Sequence, residues 1–178
     1  MDLIPNSGPH LHVLLNHFPS VGTVIALGLF AASYYVKSDD LRRTSMILFL
    51  LLGLLAIPTY ISGAAARWAI HNNAGISSDV ISAHRDQALL AFTFLGITGC
   101  LAWLGLWQER RFSSTPTWNL IAVFVTSLIA LRYMSRAGNI GGHINHPELG
   151  EIEVATAQGE GLTASVETLI ANIIWAWP

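Results

Sequence analysis

Four long apolar stretches separated by short polar ones dominate the chain. They cover residues 13–36, 45–66, 83–107 and 118–134. The first three hold 22 to 25 residues and the fourth 17, against the roughly 20 residues of helix that cross a bilayer core. The pattern predicts an all-α, integral membrane four-helix bundle within residues 1–136, a single domain in contact with the lipid bilayer.

Beyond the fourth stretch the pattern changes. Residues 137–161 are rich in glycine and carry Glu148, Glu151, Glu153 and Glu160 with no Lys or Arg, which predicts a periplasmic loop that also holds His143 and His146. The last stretch, "LTASVETLIANIIWAW", places Leu162, Val166, Leu169, Ile170, Ile173, Ile174 and Trp177 at helical spacing, with Thr163, Glu167 and Asn172 off that stripe. It is short for a span, so residues 162–178 are expected to form an amphipathic interfacial or docking helix. No internal repeat is present.

Composition agrees: 52% of the chain is hydrophobic and 11% charged, where ordinary soluble domains carry about 25% charged residues. Lys37, Arg42 and Arg43 follow the first span, and Arg110 and Arg111 follow the third. Arg67, Arg85, Arg132 and Arg136 lie on the other side. The small excess puts the two short basic loops in the cytoplasm and both termini outside. The first basic residue is Lys37, so no basic segment precedes the first span and it is expected to be retained. The single cysteine, Cys100, excludes an intrachain disulfide, a CxxCH haem attachment and a self-contained cysteine-ligated cluster. No basic stripe is present, which excludes nucleic acid as a partner.

The seven histidines change the picture more. His10, His12 and His17 stand at the mouth of the first span and His71 follows the second. His84 opens the third span, and His143 and His146 follow the fourth. All seven fall toward one side. Histidine is costly in hydrocarbon unless paired or functional; the opposite boundaries are as polar and have none. A shared site is favoured over simple boundary placement.

Haem b is the leading candidate, held non-covalently by imidazoles from different helices. His17, about a turn inside the first span, is the first expectation as an iron ligand. His84 is the second, with His143 or His146 as further ligands. His12 lies five residues before His17, about 140° away on a helix. The two would therefore serve different irons, which takes two haems, or one would be a ligand of a single haem and the other would support it. His10 is the expected bystander, and Pro19 is expected to kink the helix entry. Gly22, Ala26, Ala88 and the small residues at 62–66 supply room for a macrocycle or simply close helix packing. Arg132 and Arg136, one turn apart, suit haem propionates or snorkel to the interface; Arg67 and Arg85 pose the same choice. A tight turn at Gly141-Gly142 would bring His143 back over the bundle. The "HINH" at 143–146 leaves zinc or copper open as the metal.

"HVLLNHFP" before the first span, "SG" at Ser62-Gly63, His84 opening the third span, and Gly141-Gly142 followed by His143 together resemble a widespread family. Its members are small four-helix bacterial membrane proteins, known as a domain of unknown function with an HPxxVHFP-type start. The resemblance covers roughly residues 12–148. It implies a b-haem-binding, cytochrome-like protein of the bacterial inner membrane that accompanies periplasmic cytochrome c or redox enzyme subunits. By position the family's leading histidines fall on His12 and His17, its third-span histidine on His84, and its closing histidine on His143 or His146. Val13 stands where the family has proline, and the step from Gly142 to the next histidine is shorter than in the family.

The expected function is an electron-transfer subunit linking a periplasmic partner to the quinone pool. Arg67, His71 or Asp86 are candidates near a quinone, and the acidic 148–160 stretch is a candidate for steering a basic cytochrome c. The alternatives are a non-redox anchor or assembly subunit and a copper- or zinc-handling membrane protein. No nucleophile triad, phosphate-cradling glycine loop or paired carboxylates point to a stand-alone enzyme.

Overall fold

The computed structural model describes residues 7–70 and 78–145. They form four helices, α1 (Gly8–Tyr35), α2 (Asp39–Ile70), α3 (Ser78–Phe112) and α4 (Thr117–Asn145), with no strand among the described residues. Each is long and apolar enough to cross a membrane. The expected helix at 162–178, the acidic stretch beyond 145, His71 and His146 lie outside the described residues.

Polar residues at the boundaries set the helix starts. The Ser7 side chain caps α1 by accepting from the backbone N–H of His10 at 3.4 Å, with a proline in the first turn. The Ser38 hydroxyl accepts from the N–H of Leu41 at 3.3 Å, and Asp39 and Asp40 occupy the positive first turn of α2. Neighbouring helices run antiparallel. α1 packs on α2 and α4, and α3 on α2 and α4, while α1 and α3 make no direct backbone approach. The helices therefore stand at the corners of a square with α1 and α3 on one diagonal. The starts of α1 and α3 share one end with the finishes of α2 and α4.

Phe30, Met46, Phe49 and Leu95 are fully buried and fill the middle and the end opposite the histidines. Nearest the histidine end the buried side chains include the small ones of Ser62, Ala91 and Ala137, and small ones such as Ser33, Ser45 and Ala102 are buried at the far end as well. α2 and α3 cross at Gly53 and Gly99, where the backbones themselves touch. At the opposite end Glu109 of α3 ties to Arg43 of α2 at 3.1 Å and faces Arg42 at 4.0 Å.

One local expectation is corrected, the turn at Gly141-Gly142. Pro19 is buried within α1, which stays helical to Tyr35. It removes the bond to the Leu15 carbonyl, and Ser20 beside it donates to the carbonyl of Asn16 at 3.0 Å. Gly141 and Gly142 do not form a turn, because α4 runs through them to Asn145. Residues 137–145 thus extend the bundle instead of opening the loop. Glycine costs about 1 kcal/mol each in a helix, but here the missing side chain of Gly141 is filled by a neighbour from α3.

Candidate cofactor site

His12 and His84 occupy equivalent places on the two diagonal helices. On α1, buried positions recur seven residues apart at Pro19, Ala26 and Ser33; on α3 they recur at Ala91, Thr98 and Gly105. His12 and His84 each stand one heptad before the first of these. Both imidazoles are half-buried, belong to the bundle's inner stripes, and lie within electrostatic range of each other.

Each ring is held by the backbone of an adjacent helix. His12 Nδ1 lies 3.1 Å from the carbonyl oxygen of Thr59, and Ser62 Oγ is 3.4 Å from the same nitrogen. His84 Nδ1 lies 2.8 Å from the carbonyl oxygen of Ala137. A carbonyl only accepts, so both contacts place the proton on Nδ1 and leave the Nε2 lone pair free. Neither Nε2 bonds to any described residue.

A glycine lies against each ring. A Cβ on Gly63 would stand 2.9 Å from Cε1 of His12, and one on Gly141 would stand 3.1 Å from Cε1 of His84. The two half-sites therefore match: a histidine on one helix, with a carbonyl and a glycine on the next. One buried polar atom near this end has no partner among the described residues, Gln87 Oε1, one turn inside His84.

The other expected ligands are placed differently. His17 is exposed and its Nδ1 pairs with the side chain of its neighbour Asn16. Five residues of helix turn it about 140° away from His12, so it does not join the pair. His10 is also exposed. His143 falls in the last turns of α4, and its side chain lies outside the described residues. Arg132 stands nine residues, two and a half turns, from buried Val123 and therefore on the outward face of α4; Arg136 is exposed. Asp86 pairs with Arg85 at 2.7 Å on the surface.

The donor set restricts the chemistry. Among the described residues no three His, Cys, Asp or Glu side chains come together as a metal site, whereas structural zinc takes four protein ligands and catalytic zinc three. Two free imidazole nitrogens on facing helices suit an iron whose other four ligands belong to a porphyrin. The small buried side chains of Ser62 and Ala137 beside them, and the close seating that Gly63 and Gly141 give the two rings, fit such a group. The heptad register was the sequence signal for choosing His12 over His17. The contributions of Thr59 and Ala137 had no signal of their own, since both act through the backbone, whereas Gly63 stood out in the Ser62-Gly63 pair and the run of small residues at 62–66. In comparisons with known protein families, curated proteins and solved structures, nothing matches this chain.

Proposed function

We propose that the chain is a multi-pass subunit of the bacterial inner membrane that carries electrons between a periplasmic redox partner and the quinone pool through haem b. His12 and His84 would hold the iron. The observation that carries this reading is the diagonal pair itself, two half-buried imidazoles with Nδ1 anchored to carbonyls and Nε2 free. Bound haem supplies one-electron chemistry, the iron alternating between its ferric and ferrous states.

The protein's own contribution is positional and electrostatic. The Thr59 and Ala137 carbonyls fix the ring orientation and tautomer and raise the basicity of each Nε2, which favours the ferric state and lowers the potential. The surrounding helices shelter the half-buried pair and limit reorganisation during transfer. With His12 and His84 both given to the iron, the site would be suited to passing electrons rather than to turning over a substrate at the metal. On this reading the histidine end faces the periplasm.

A reduced-minus-oxidised absorption spectrum of the purified protein, with pyridine haemochrome quantitation, tests the proposal. A sharp reduced α-band with b-type haemochrome and one haem per chain is expected. A flat spectrum from folded, haem-supplied protein would end it.

A further inference from the structure

Four arginines lie toward the histidine end among the described residues, and they differ in where they stand. Arg85 is neutralised by Asp86. Arg132 and Arg136 lie on the outward side of α4. Arg67 is different: it is eighteen residues, five full turns, from the fully buried Phe49, and so stands on the inner stripe of α2. It also follows Gly63 by one turn, directly beyond the place where α2 meets the His12 ring. It is half-buried and has no carboxylate partner among the described residues.

A half-buried arginine on the inner stripe, with no carboxylate partner among the described residues and one turn from the His12 ring, calls for an anion. We infer that Arg67 is the anion anchor of this site, binding a carboxylate of the group that His12 and His84 hold. The inference rests on the haem reading, in which that carboxylate is a propionate. A planar group held from α1 and α3 presents its edges to α2 and α4. Of those two helices, α2 is the one with a cation on its inner stripe. The bidentate fork of arginine suits a carboxylate at the water boundary, where a lysine would offer only a point charge.

The test compares wild type with Arg67→Gln, Arg67→Lys and, as a charge control at the far end, Arg110→Gln. Each is purified full length and loaded with haem b or with its dimethyl ester, which lacks free carboxylates. Haem loss to an excess of apomyoglobin and the midpoint potential are both read optically. Arg67→Gln is expected to lose haem b about tenfold faster, the order of effect for one charge-assisted hydrogen bond, and to have a lower midpoint potential because a positive charge near the iron is gone. Arg67→Lys recovers part of both, and Arg110→Gln matches wild type. With the dimethyl ester, wild type and Arg67→Gln lose the group at equal rates.

Wild-type retention and potential in Arg67→Gln would overturn the inference and leave the haem reading standing. So would an undiminished difference between the two proteins with the ester. Wild type without a haem spectrum would remove both.

Discussion

Gly63 lies so close to His12 that a methyl group in place of its hydrogen would stand 2.9 Å from Cε1 of the ring. The ring cannot retreat freely, since its Nδ1 is tied to the Thr59 carbonyl on the same helix as the glycine. An alanine there must break that bond or push α1 away from α2. Gly63→Ala is therefore expected to reduce haem b per chain several-fold while leaving helical content unchanged by circular dichroism. Gly141→Ala should do less, because its contact with His84 at 3.1 Å is relieved by a shift of a few tenths of an ångström. Equal haem content in Gly63→Ala and wild type would mean that His12 is not a ligand in the geometry described.

The ligand assignment makes a sharper expectation. His12→Ala and His84→Ala should each remove the low-spin, bis-imidazole spectrum, leaving at most a five-coordinate form that binds carbon monoxide. His17→Ala should keep the wild-type spectrum and haem content, since that ring is exposed and turned away from the pair. Electron paramagnetic resonance of the three oxidised variants distinguishes the outcomes. A low-spin signal that survives His12→Ala but vanishes in His17→Ala would reverse the assignment.

Much of this arrangement was legible before any coordinates. The apolar runs located all four helices, and the clustering of histidines pointed to the end where His12 and His84 stand. His17 is further inside the apolar run than His12, and depth together with the small residues below it favoured it as a ligand. Helical phase favours His12 instead, because His12 lies on the inner stripe. The register of Pro19, Ala26 and Ser33 points back to His12. Gly141 shows the opposite difficulty. Two adjacent glycines normally end a helix, and only the neighbouring His84, 57 residues away in sequence, explains why α4 continues past them. The same phase argument separates Arg67 from Arg132, which composition treats alike.

Packing in the membrane makes a prediction that is independent of any cofactor. A Cβ on Gly99 would stand 3.2 Å from the Phe49 carbonyl oxygen and 3.3 Å from the Cα of Gly53. These are backbone atoms, so no side chain can rotate out of the way. Gly99→Ala should cost about 1–3 kcal/mol by overpacking. Gly28 and Gly96 have open space at the same position, and alanine there should be neutral or stabilise by about 0.5–1 kcal/mol through helix propensity. Unfolding of the detergent-solubilised variants, followed by tryptophan fluorescence, compares them directly. Indistinguishable midpoints for Gly99→Ala and Gly96→Ala would contradict the close crossing of α2 and α3.

At the far end, Glu109 binds α3 to α2 through Arg43 at 3.1 Å, and its side chain is only 11% exposed. Arg43 itself is 55% exposed, and a pair between two such surface groups would contribute under about 1 kcal/mol. The sheltered carboxylate, which faces Arg43 and also the half-buried Arg42 at 4.0 Å, raises the cost of breaking the cluster, while Arg42 keeps its closer partner Asp39 at 2.7 Å. Glu109→Gln is expected to destabilise by about 1–2 kcal/mol, more than Arg43→Gln. Arg42 keeps Asp39 when Glu109 is changed, so Arg42→Gln and Glu109→Gln together should cost somewhat less than the two single losses summed, by the 4.0 Å attraction that both remove. The double-mutant cycle reads that coupling. Additive losses would mean that the two groups do not share a field, and that α2 and α3 are held at this end by packing alone.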